Sequence, residues 1–181
     1  LPGNVIRYKA KKKLAETSDS YSDGIYINAI YGNPIVSHTF SNGIGTITLS
    51  IAPHVKKIYG IEVVEEAVVN ANENKVRNSI TNAEFILGKC EEEIMNLVSK
   101  EKIDAILMDP PRKGSDQKFL DTVVNAKIEK IVYISCGPAA LARDLKYLIE
   151  HGYELKKITL VDMFSRTTNI ESVSLLNRIE Q

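Results

Sequence analysis

Two short apolar runs constrain this chain most. Ile103-Asp104-Ala105-Ile106-Leu107-Met108 and Ile131-Val132-Tyr133-Ile134 lack the polar alternation of a strand with one wet face. Strands of this kind are covered on both sides. Where they alternate with helical patterns, they imply βαβ units, right-handed crossovers and a mostly parallel sheet. At 181 residues, one domain with a core of useful size is expected.

From residue 35 onward the pattern continues in that sense. Lys57 to Glu62 reads as a strand ending in an acid, and Glu65 to Asn78 as a helix with Ala67, Val68 and Ala71 on one side. Ala83 to Leu87 is a strand and Cys90 to Lys100 a helix. Lys118 to Asn125 and Ala139 to His151 are helical, with Gly152 as a C-terminal cap. Tyr153 to Val161 and Ser172 to Leu176 are the last strands. The fold class expected is α/β, with a mostly parallel, doubly wound sheet and helices on both faces. Residues 1–31 are expected to form a weakly structured basic segment, and 32–181 the folded domain.

Composition narrows the function classes. Hydrophobic residues at 44% and charged residues at 25% exclude a disordered or collagen-like chain. No run reaches the ~18 apolar residues of a membrane span. Leu1-Pro2-Gly3-Asn4 does not resemble the start of a signal peptide. Lys+Arg 23 against Asp+Glu 23 gives no global pull toward nucleic acid. Arg7, Lys9, Lys11, Lys12 and Lys13 form a local basic arm, which reads as solvated or as a phosphate-contacting edge. Two cysteines, Cys90 and Cys136, are too few for a disulfide framework, a four-Cys zinc site or an iron–sulfur cluster. A reduced, cytoplasmic protein without a metal is expected, and a monomer is the simplest assembly.

Open α/β sheets bind ligands at the carboxyl ends of their strands. Asn42-Gly43-Ile44-Gly45-Thr46 opens a short helix there, and its glycines permit close backbone approach. Glu62 ends the next strand, where a carboxylate can accept both hydroxyls of a ribose. Thr48 stands where a dinucleotide fingerprint has its third glycine, which favours a single-nucleoside cofactor such as S-adenosylmethionine. A tight turn beside a surface acid is the plainer reading of the same residues. Asp109-Pro110-Pro111-Arg112-Lys113-Gly114 follows the first apolar strand, holds Asp109 at that edge and adds two cations suited to phosphate. Ser135-Cys136-Gly137-Pro138 follows the second and places a thiol just before a helix. Arg143 adds a further cation. Cys90 is expected mid-element in the core, His38 to be structural, and His54 and His151 to be surface or capping residues.

Three segments together resemble the RNA (uracil-5-)-methyltransferase family: Asp109 to Gly114, Tyr133 to Leu145 and Asp162 to Val173. The resemblance covers roughly residues 32 to 179. It implies a Rossmann-like class I methyltransferase fold and methyl transfer from S-adenosylmethionine to C5 of a uridine in RNA, ribosomal RNA before transfer RNA. It also implies that Cys136 is the nucleophile and Glu171 the base. Ser41, Gly43, Gly45, Thr46, Glu62, Lys89 and Asp109 would contact the cofactor, and Arg112, Lys113 and Arg143 the RNA. Uracil C5 is a poor nucleophile until a thiolate adds at C6, and its proton must leave before elimination. A paired uridine must also be flipped out of its stack.

The chain departs from the family's pattern in places. Thr39 and Asn42 stand where the first motif has Asp and Cys or Ser. The usual Ser-Phe-x-Gln segment is not evident in residues 1–34, nor are the N-terminal RNA-binding β-barrel and the iron–sulfur cysteines. A catalytic-domain piece, a truncated paralogue and a partly degenerate enzyme all fit. Two other functions stay open. One is a non-catalytic nucleotide- or RNA-binding module. The other is an amino-methyltransferase on adenine or cytosine, which would want an aromatic where Arg112 stands and has no use for Cys136.

Overall fold

The computed structural model describes residues 35–39, 45–162 and 170–179. Its strands are β1 (Ile35–Thr39), β2 (Ile58–Glu62), β3 (Ala83–Leu87), β4 (Ala105–Asp109), β5 (Lys130–Ser135), β6 (Tyr153–Val161) and β7 (Glu171–Arg178). Its helices are α1 (Thr46–Ile51), α2 (Glu65–Arg77), α3 (Cys90–Lys100), α4 (Gln117–Asn125) and α5 (Pro138–Glu150). The strands form one sheet in the order β3-β2-β1-β4-β5-β7-β6. Neighbours from β3 through β5 run parallel, whereas β7 is antiparallel to both β5 and β6. This is the mostly parallel, doubly wound α/β sheet that the apolar runs imply. The basic arm and the rest of residues 1–31 lie outside the described residues, as do Ser41, Asn42 and Gly43.

Alternation along the strands divides the interior into two cores. Tyr59 and Ile61, Ile106 and Met108, and Ile131 and Tyr133 face α3, α4 and α5, where they meet Ile94, Phe119, Val123, Leu145 and Leu148. Ile58, Ala105, Leu107, Val132 and Ile134 face the other way, toward Leu49 and Ile51 of α1. Each fully buried Ile, Leu or Met side chain contributes roughly 1.5–3 kcal/mol, so both faces are strongly fixed. A slip of one residue would exchange the two cores, which pins the register of every central strand.

Local chemistry sets the element ends. Asp116 caps α4, its carboxylate accepting from the Phe119 N–H at 2.8 Å, so the helix starts at Gln117, one residue before the expected Lys118. Pro138 occupies the first position of α5, where its missing N–H costs nothing. Gly152 follows α5 with φ +90°, as expected of its cap. Glu91, Glu92 and Glu93 open α3 and Lys100 closes it, in accord with the helix dipole. The last strand is longer than expected, reaching back to Glu171 and on to Arg178. Ile103 is buried but precedes β4, which starts at Ala105.

Gly60 lies mid-strand in β2, and a Cβ there would sit 2.7 Å from the Phe85 ring and 3.1 Å from Thr48 Oγ1. Gly60→Ala should therefore cost about 1–3 kcal/mol by overpacking. Adding Phe85→Leu should recover part of the loss, so urea unfolding of the double variant is expected to fall short of additivity.

Candidate active site

The carboxyl ends of the parallel strands meet at one edge of the sheet. Ile58, Ala105, Leu107, Val173 and Leu175 belong to the core on the α1 side. Alternation then puts Glu62, Asp109 and Glu171 on that same side. The ladder pairs Thr39 of β1 with Asp109 of β4 and His38 with Ile61 of β2. Glu62 and Asp109 thus flank the end of β1. The chain leaves β1 for β2 and β3 on one side and finds β4 and β5 on the other, so this is the topological switch point, where open α/β sheets take their ligands.

Gly45 precedes α1 with φ +80°, in the left-handed region, and its carbonyl accepts from the Leu49 N–H at 2.9 Å. A Cβ there would meet the Phe85 ring at 2.7 Å, so the turn packs directly onto β3. Thr46 follows, half-buried. Glu62 is 6% exposed, and its Oε1 accepts from the Val64 N–H at 2.9 Å, which orients the carboxylate. Lys89 lies just beyond β3, exposed, with Glu92 3.8 Å away across solvent.

Asp109 is half-buried between β1 and β5, followed by buried Pro110. Burial first, and the Glu171 carboxylate second, push its carboxyl up to about 6. Burial also raises the Glu171 carboxyl. A carboxylate with raised proton affinity is the better base near neutral pH.

The turn after β5 is held from two sides. Ser135 Oγ accepts from the Gly137 N–H at 3.1 Å, and Ser172 Oγ donates to the Ser135 carbonyl at 3.1 Å. Ser135 pairs with Ser172 in the antiparallel β5–β7 ladder, so the next positions outward are Cys136 and Glu171. Cys136 is half-buried and free. Cys90 is buried, as expected, but it is the first residue of α3 and not mid-element. Burial raises its thiol well above the ordinary value, with Glu91 and Glu93 adding to the effect.

Arg112 and Lys113 are exposed beside this turn. Arg143, expected as an RNA-facing cation, is also bound within the chain. Its Nε donates to Asp144 Oδ1 at 2.8 Å, and its Nη2 donates to the carbonyls of Lys113 at 3.1 Å and Ser115 at 3.0 Å. The guanidinium is a brace between α5 and the loop after β4. Sequence reasoning missed Asp144, although a signal was present: Leu141, Asp144, Leu145 and Leu148 form one helical stripe, with an acid where the core calls for an apolar residue. His54 and His151 are exposed, as expected, and His151 stacks on Tyr147. The side chain of His38 lies outside the described residues.

A family model described as tRNA (uracil-5-)-methyltransferase matches residues 39–179. The chain belongs to this family. An RNA methyltransferase of Lactobacillus johnsonii, itself uncharacterized, is 50% identical over 142 residues, covering 77% of this chain and 31% of the relative. Another from Bacillus cereus is 41% identical over 167 residues, covering 92% of this chain and 36% of the relative. The chain thus spans about a third of the length of these curated relatives. Among solved structures, the tRNA (uracil-54, C5)-methyltransferase of Pyrococcus abyssi, in complex with S-adenosyl-L-homocysteine, aligns with TM-score 0.67 and 30% identity, over 81% of this chain and 35% of that one. An rRNA methylase from Streptococcus thermophilus shares the fold at TM-score 0.60 and 16% identity, over 81% of this chain and 88% of that one. The fold is the Rossmann-like class I methyltransferase fold. Among the described residues no helix is long and apolar enough to cross a membrane, and no group of three or more His, Cys, Asp or Glu is placed to hold a metal ion.

Burying a carboxyl at this edge lowers stability, and Asp109 gives the sign. Its folded-state value of about 6 lies above the ordinary 3.8, so the folded protein holds the proton more tightly than the unfolded chain. Stability contributed by this group therefore falls as pH rises from about 4 to about 6. Asp109→Asn should be more stable than the parent at pH 7, by about 1–3 kcal/mol. The gain should vanish near pH 4 in urea unfolding; a gain independent of pH would contradict this account.

Proposed function

We propose that this chain is the methyl-transfer domain of an S-adenosylmethionine-dependent RNA methyltransferase acting on C5 of a uridine. The observation that carries the reading is the placement of Cys136 and Glu171 one step beyond the Ser135–Ser172 pair, with Asp109 on the neighbouring strand. A thiol and a carboxylate of raised proton affinity at one strand edge are the two groups that C5 chemistry needs.

The residues at the switch point suit the cofactor. Glu62 offers a buried, oriented carboxylate for a vicinal diol, Gly45 and Thr46 shape the adjacent turn, and Asp109 stands on the other side of β1. Lys89 lies at the end of β3, where it can neutralise a carboxylate. By resemblance to the family motif Ser41 and Gly43 would also contact the cofactor; they lie outside the described residues. Bound S-adenosylmethionine supplies an electrophilic methyl group.

Cys136 adds as thiolate to uracil C6, forming the S–C6 bond and moving the C5=C6 electron pair into an enolate. C5 thereby becomes nucleophilic enough to take the methyl group. Glu171 then removes the C5 proton, the C5=C6 bond re-forms and the Cys136 sulfur leaves. Arg112 and Lys113, exposed beside the Cys136 turn, suit RNA phosphates. The target uridine must be unpaired or flipped out. Ribosomal RNA is the first substrate class to test and transfer RNA the second.

RNA carrying 5-fluorouridine tests the reading, because fluorine at C5 cannot leave as a proton. With S-adenosylmethionine present, a protein–RNA adduct stable to denaturing gels is expected, and Cys136→Ala should abolish it. Glu171→Gln should accumulate adduct on ordinary uridine, with turnover lowered by about 10²–10⁴-fold. RNA binding without any adduct would replace this reading with a non-catalytic binding module.

A further inference from the structure

Asp144 is fully buried in α5, among Leu141, Leu145 and Leu148, at a position that packing alone would give to an apolar residue. A buried carboxylate is costly unless it is hydrogen-bonded, and it is weak evidence for added stability. This one is well supplied. Oδ2 accepts from the Ser115 N–H at 2.8 Å and from the Tyr133 hydroxyl at 2.6 Å. Oδ1 accepts from Arg143 Nε at 2.8 Å and lies 2.7 Å from Arg143 Nη2. Burial, then the Asp144 hydrogen bond, raises the Tyr133 phenol, so its hydroxyl stays a donor.

What these bonds join is the important point. Pro110 and Pro111 have no N–H to donate, so the loop after Asp109 offers no backbone donor at its first two positions. Further along the loop, the Gly114 N–H donates to the Pro111 carbonyl at 2.7 Å and the Ser115 N–H donates to Asp144. Gly114 adopts φ +82°, and a Cβ on it would lie 2.6 Å from Arg143 Nη2 and 2.7 Å from Asp144 Oδ2. Midway along the loop, the Arg112 carbonyl oxygen would lie 2.6 Å from a Cβ on Gly137. The loop that begins at Asp109 and the turn that carries Cys136 therefore touch directly and are clamped to one helix.

We propose that Asp144 is a positioning residue: with Arg143 and Tyr133 it fixes the Asp109–Ser115 loop against the Cys136 turn, so that the two sides of the active site keep one separation. This rests on the C5 methyl-transfer reading of Cys136 and Asp109. It makes Asp144 act through its neighbours, without touching RNA or cofactor.

Two measurements on the full chain test it. In the unmodified protein, the Ser115 amide should exchange with deuterium as slowly as the interior amides of α5, although it lies in a loop. Loop-like exchange overturns the clamp, whatever the chemistry proves to be. Next, the rate of adduct formation with 5-fluorouridine RNA is measured against RNA concentration, per folded protein. Asp144→Asn should lower the saturating rate by about 10–100-fold, with the half-saturating RNA concentration unchanged. Tyr133→Phe should lower it in the same direction by less, and it decides the matter if Asp144→Asn does not fold. Saturating rates equal to the parent's, or a loss explained by the unfolded fraction, would leave Asp144 a structural residue and overturn the proposal. If the parent chain itself forms no adduct, the C5 reading falls and the exchange result alone judges the clamp.

Discussion

The site depends on one strand running against the others. In a parallel sheet all carboxyl ends gather on one edge, and the starts of strands lie at the opposite edge. A residue that begins a strand can reach the active edge only if that strand is antiparallel. β7 satisfies this by inserting between β5 and β6 with reversed direction. Glu171 begins β7 and therefore arrives beside Cys136, which follows the end of β5. Its neighbours in β7 hold it there: Val173 and Leu175 pack on the α1-side core and Leu176 is buried in the other.

The cost of such an edge is visible in its charges. Glu62 is buried, Asp109 partly so, and burial raises the proton affinity of both Asp109 and Glu171. Two carboxyls on one face also repel when both are ionised. The apolar strands below them offset these terms, since β4 and β5 carry buried side chains on both faces. Asp109 and Cys136 thus stand at the tips of strands with buried side chains on both faces, an arrangement that preserves their geometry.

Much of this was legible in the sequence. The near-continuous apolar strands at 103–108 and 131–134 required a sheet covered on both faces, and helical patterns between them required parallel crossovers. The glycine turn, Glu62, Asp109 and Cys136 could each be put at a strand end. The strand order could not be read, because β7 inserts by tertiary pairing, to which its own periodicity is blind. The bracing role of Arg143 is hidden for a related reason. An exposed arginine beside a conspicuous motif looks like an RNA contact, yet its donors reach two loop carbonyls 28 and 30 residues earlier in the chain. Asp144 lies on the stripe of Leu141, Leu145 and Leu148, which turns it inward. Element ends moved by a residue or two where caps such as Asp116 settled them.

The two cysteines show how little residue type decides. Each lies where a parallel strand gives way to a helix. Cys90 is the first residue of α3, enters the core shared by α3, α4 and α5, and has Glu91 and Glu93 beside it. Desolvation and like charge both oppose its thiolate. Cys136 stands two residues before Pro138, so the turn holds it outside the helix and half in solvent. The first turn of α5 contains no acid. The difference lies in how the helix begins. Cys90, at the first helical position, is carried into the core, whereas the glycine–proline start of α5 leaves Cys136 outside the helix at the strand edge.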